Sequence, residues 1–169
     1  MSASTKVALA IFGIAGAILL SFIGLVAYVS GPTRTIAKDV QITGEWRDFP
    51  IAPPIKALYR DQTIMLGIKD YDWSSEGNSF TAPLKLPDGT IVDPQIQLVD
   101  SLGNSYPFHH SGAVRTGGLL GSTDEPVFRA GSSDNSPDLP RDKEFTKLRI
   151  RSDVSFRCSR IEWVDYNPK

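Results

Sequence analysis

Two hydrophobic patterns divide the chain. From residue 7 to residue 30, VALAIFGIAGAILLSFIGLVAYVS, no side chain carries a charge. Beyond it the apolar positions begin to alternate. In TIAKDVQITGEW, Ile36, Val40 and Ile42 share a face that Lys38 interrupts; in QTIMLGIKDYDW, Ile64, Leu66 and Ile68 alternate with Met65, Gly67 and Lys69. PQIQLVD sets Ile96 and Leu98 against Gln95 and Gln97, and FTKLRIRSD sets Leu148 and Ile150 against Lys147, Arg149 and Arg151. Period two is the mark of strands with one face on a core and one in water.

Residues 7–30 predict a membrane-spanning helix. At about 1.5 Å per residue such a helix crosses a hydrocarbon layer of roughly 30 Å, and a core helix of a water-soluble domain would show a polar stripe. Lys6 marks one end and Gly31-Pro32 the other. A cleaved export signal is the rival. Its apolar part runs about 7–15 residues and ends in a small-x-small site, whereas this run is longer and ends on Tyr28 and Val29, with Pro32 close behind. The chain therefore reads as a short tail (1–6), a retained single-pass anchor (7–30), a linker (31–38) and a β domain (39–169) placed outside the cytoplasm. Gly13, Ala17 and Ser21 recur every four residues within the span. This spacing lets a second copy's helix, or another membrane or envelope protein, approach closely.

Turn chemistry separates the strands. Asp88-Gly89 and Gly103-Asn104 predict hairpins, and Pro83, Pro87, Pro94 and Pro107 exclude a long helix in the middle of the chain. APPIKALYRD has room for one helical turn. Short strands with Gly/Pro turns predict an all-β fold, an antiparallel β-sandwich of the immunoglobulin-like or jelly-roll kind. Residues of about 111–142 show almost no alternation and read as a long loop around one short strand, 127–129. In FRCSRIEWV the inward parity changes between Cys158 and Ile161, which predicts a bulge or tight turn at Ser159-Arg160. Cys158, the one cysteine, excludes an internal disulfide and suits a small buried hydrophobe.

Composition narrows function by exclusion. A net charge of −1 lacks the basic excess of a nucleic-acid binder. The sequence has no GxSxG, GxGxxG, Walker or CxxC pattern, so neither a cofactor nor catalysis is expected. Four groups of residues carry candidate chemistry. Tyr71 and Trp73, with Asp70 and Asp72, have the make-up of a carbohydrate platform, aromatic rings for stacking and acids for hydroxyls. His109 and His110 are the only histidines and the one start for a metal-dependent hydrolase; adjacent strand residues face opposite ways, and no ligand spacing accompanies them. The acidic loop with Asp134, Asn135, Asp138 and Asp142 lacks the fixed spacing of a calcium loop. Lys147, Arg149 and Arg151, with Arg157 and Arg160 near in sequence, form a basic stripe suited to anionic head groups or an acidic partner. The combination predicts a binding or assembly module at the bilayer, without catalytic activity.

Overall fold

The computed structural model describes residues 33–57, 61–72, 83–118, 121–130 and 139–166. The anchor segment with Gly13, Ala17 and Ser21, Trp73, and residues 131–138 of the acidic loop lie outside them. Among the described residues no helix is long and apolar enough to cross a membrane.

The described strands are β1 (Thr33–Ile42), β2 (Arg47–Ile55), β3 (Asp61–Gly67), β4 (Leu84–Lys85), β5 (Ile91–Val92), β6 (Pro94–Asp100), β7 (Ser105–Gly118), β8 (Gly121–Arg129), β9 (Phe145–Ser152) and β10 (Phe156–Tyr166). All pairings are antiparallel. The all-β class is thus as the alternation predicts. The strands form one eight-stranded sheet in the order β1-β10-β3-β8-β7-β6-β9-β2, with β4-β5 as a separate hairpin. Two facing sheets do not separate, because β7 belongs to both halves. Its first residues pair with β6, and from His109 onward it pairs with β8.

The sheet is nearly closed. Its two ends, β1 and β2, lie side by side, and two guanidinium groups cross the seam. Arg34 Nη1 donates to the Pro53 carbonyl (2.7 Å) and Arg47 Nη1 to the Gln41 carbonyl (3.1 Å). Pro50, Pro53 and Pro54 lack the N–H a ladder needs, so β2 suits an edge. Antiparallel order also fixes which turns share an end. The end where β1 begins, the entry end, carries the 100–104 turn and the 139–144 connection. The opposite end carries residues 43–46, 153–155 and the β4-β5 hairpin, whose Leu84 and Val92 join the core.

Three boundaries differ from the sequence pattern. β1 takes in residues 33–38, so only residues 31 and 32 separate the uncharged run from the first strand, where a linker over 31–38 was expected. Ala52 to Ile55 belong to β2, with a cis Ala52–Pro53 bond, where a helical turn was expected. β7 and β8 form a long hairpin, and its residues 111–118 and 121–129 occupy much of the loop expected over about 111–142. Its ladder, including Val114↔Glu125, Arg115↔Asp124 and Thr116↔Thr123, is built mostly from polar residues. Backbone bonding forms such strands without leaving an alternation to read.

The core follows the alternation. Ile42, Ile64, Leu66, Ile96, Leu98, Leu148, Ile150 and Ile161 are fully buried, with Phe128 and Phe145 the largest among them. Strand β3 departs from the expected half-exposed pattern. Met65 is also buried, with Val127 and Val164, in a second apolar cluster on the outer face. Both expected hairpins form. Asp88 accepts from the Thr90 amide (2.9 Å) and Gly89 has φ 86°; Gly103 has φ 88° and donates to the Asp100 carbonyl (3.1 Å). Positive φ is free of steric cost only for glycine, which is why these turns carry it.

Cys158 and Ile161 both face the core, as the parity change predicts. Strand β10 nonetheless runs on through Ser159 and Arg160 without a turn. The facing strand absorbs the mismatch: the β1 register steps between Thr35 and Ala37, and Asp39 takes φ 50°. The Cys158 thiol donates to the Arg160 carbonyl (2.8 Å), and burial pushes its pKa up to about 12. At pH 8 the thiolate fraction is then on the order of one in ten thousand, and the thiolate is the nucleophile. The native protein is expected to remain unmodified by a water-soluble thiol reagent at pH 8 and to take up one equivalent in urea. Stoichiometric labelling without denaturant would show that Cys158 is not in the core.

Candidate functional site: the Trp46–arginine face

An exposed polar surface is built on β9. Because Leu148 and Ile150 point into the core, Lys147, Arg149 and Arg151 must point out. Register then supplies their neighbours. Asp48 of β2 and Gln97 of β6 flank Arg149, and Gln95 flanks Arg151. Arg149 grips the Asp48 carboxylate with two bonds, Nε to Oδ1 (3.0 Å) and Nη2 to Oδ2 (3.2 Å), and Lys147 Nζ reaches Oδ2 at 2.9 Å. Such a fork fixes orientation as well as charge. First the Arg149 guanidinium, then the Lys147 ammonium, holds the Asp48 carboxyl below the usual carboxylate range. Arg151 donates from Nε (2.9 Å) and Nη2 (2.8 Å) to Gln95 Oε1.

Trp46, half-buried in the turn before β2, completes the face. The Arg151 guanidinium carbon lies 4.8 Å from the Trp46 ring centroid and that of Arg149 lies 5.8 Å away, both within cation–π range. The arginines are therefore held between an indole, a carboxylate and an amide. Three cations against one carboxylate leave the face positive. Charge and stacking are the recognition chemistry of this set.

The basic stripe thus forms, but its charges are largely committed to Asp48, Gln95 and Trp46. Arg157 and Arg160 do not extend it, because β10 is not a neighbour of β9 in the sheet. Arg160 instead pairs with the buried carboxylate of Glu125 and, at 3.3 Å, with Glu162. Trp46, Asp48 and Gln95 escape sequence inspection because their partners are remote; Asp48 and Arg149 are 101 residues apart. The only local signal is a tryptophan and an acid beside a turn, in TGEWRDF.

The described residues of the other candidates lie apart. Tyr71 is 4% exposed and belongs to the core, so its ring has no free face for a sugar. Asp70, with φ 58°, and Asp72 are exposed beside it, and Lys69 Nζ lies 4.0 Å from Asp70. His109 is exposed opposite Arg129 in the ladder. The His110 ring lies 5.4 Å from that of Phe128, with Nε2 3.1 Å from the Gly112 carbonyl oxygen. Among the described residues, no three His, Cys, Asp or Glu side chains converge as a metal site. Compared with protein-family models, curated proteins and solved structures, the chain matches none of them.

Proposed function

We propose that this is a single-pass membrane protein whose β domain lies outside the cytoplasm and serves as a non-catalytic binding or assembly module. One observation carries the reading: an uncharged run long enough to span a bilayer leads, through residues 31 and 32 alone, into β1. So short a connection keeps the domain within reach of neighbouring membrane or envelope proteins. The Trp46–Arg149–Arg151 face is the surface offered to such a neighbour. Its side chains are held in place before contact, which lowers the ordering cost of binding, and tryptophan and arginine are the residues that dominate interface energies. Its residual positive charge selects an acidic protein segment.

The test is a photo-crosslinker placed at Glu45, exposed beside Trp46, in the full chain, in intact membranes at native expression, after a carbonate wash. The expected outcome is retention in the membrane and a discrete protein adduct, reduced at least several-fold by Trp46→Ala or Arg151→Ala. Release by carbonate, or an unchanged background with no adduct, overturns the reading.

A further inference from the structure

We propose that Arg151 is the docking point of the Trp46–arginine face and takes one carboxylate, an Asp or Glu side chain of the partner; this deepens the reading of that face as the binding surface and rests on it. The three outward cations of β9 are not equivalent. Lys147 and Arg149 share the Asp48 carboxylate, which compensates their charge within the domain. Among the described residues Arg151 has no carboxylate partner; its acceptor is the uncharged amide of Gln95. Glu45, Asp93 and Asp153, exposed at the neighbouring strand ends, do not pair with it.

Geometry makes this cation a directed site. Register sets Gln95 of β6 opposite Arg151. Arg151 Nε and Nη2 both donate to Gln95 Oε1, at 2.9 and 2.8 Å, and the Trp46 ring centroid lies 4.8 Å from the guanidinium carbon. One edge of the guanidinium is thus held by the amide and one flat face by the indole. The fork between Nη1 and Nη2 takes no acceptor among the described residues. Its two parallel N–H groups match the two oxygens of a carboxylate, a fit that a lysine ammonium cannot make. Holding the plane in advance removes part of the ordering cost of binding.

Arg149 makes the same side-on contact, but to a carboxylate, so its charge is already met. The difference between the two arginines lies in their partners, Asp48 for one and Gln95 for the other. Gln95 is therefore a positioning residue whose lack of charge leaves Arg151 available. A glutamate at position 95 would close the ion pair inside the domain without changing the shape of the site.

The test titrates a fluorophore-labelled hexaglutamate peptide, with hexaglutamine as uncharged control, against the full chain in non-ionic detergent, followed by anisotropy. Expected is binding of hexaglutamate alone, weakened several-fold by Gln95→Glu and also by Arg151→Lys, which keeps the charge and loses the fork. Asp48→Asn, which frees Arg149 and Lys147, should not weaken it. Gln95 is exposed, and an unchanged urea midpoint shows that its variant is folded. Arg151→Lys equal to the parent, or Asp48→Asn as damaging as Gln95→Glu, overturns the inference. So does a parent chain that does not bind hexaglutamate, while a Trp46-dependent membrane adduct from position 45 would leave the docking reading standing.

Discussion

Replacing Phe145 by alanine is expected to destabilise the domain by about 3–5 kcal/mol, the usual range for emptying a buried aromatic site. Phe145 is fully buried at the start of β9, and Tyr106 meets its ring edge-on, with centroids 5.5 Å apart and planes at 88°. It pairs with Ile55 on one side and Asp100 on the other, so three strands converge on one side chain at the entry end of the core. Strands β2 and β6 flank the site on both sides, which limits how far it can collapse after truncation. Phe145→Leu, which keeps most of the volume, should cost under about 1.5 kcal/mol. Urea unfolding of the full chain in detergent, followed by tryptophan emission, measures both. A Phe145→Ala midpoint within error of the parent would show that β9 does not begin in the core.

Gly67→Ala is expected to destabilise by roughly 1–3 kcal/mol, the range for overpacking, against the ordinary rule that alanine improves on glycine within a strand. A Cβ built at Gly67 would lie 2.6 Å from Ser159 Oγ and 2.7 Å from Arg160 Cγ. Neither neighbour is free to yield. Ser159 Oγ donates to the Gly67 carbonyl at 2.8 Å, and the Arg160 guanidinium is paired with Glu125, a carboxylate only 3% exposed. Arg160 sits opposite Gly67 on β10, whereas Glu125 belongs to β8 beyond β3. The missing side chain at Gly67 therefore opens the path by which arginine crosses β3. Ser159→Ala removes the closer atom, so Gly67→Ala should cost about 0.5–1 kcal/mol less in that background, a coupling typical of touching residues. Strict additivity would remove the steric account.

The face on β9 shows how far a strand pattern reaches. FTKLRIRSD fixes Leu148 and Ile150 inward and the three cations outward, because neighbouring strand residues must face opposite ways. It is silent on what stands beside them. Asp48 and Gln95 become neighbours only when β2 and β6 take the two flanks of β9. Tyr71 meets the same limit: an aromatic next to acids looks alike in the sequence whether it faces water or closes a core, and this ring lies in the core.

Local chemistry that depends on a few adjacent residues was legible in the chain itself: the uncharged run over residues 7–30, the glycine turns at 89 and 103, the buried Cys158, and the inward sets of β1, β6, β9 and β10. These follow from the placing of charges, backbone sterics and period-two burial, none of which needs a partner strand. Only the tertiary structure decided that the strands make one nearly closed sheet, that the β7–β8 hairpin occupies the polar stretch, that β3 is buried on both faces, and that Gly67 makes way for Arg160. Each of these is set by which strand lies next to which, and backbone hydrogen bonds make that choice at any sequence separation without marking the residues involved.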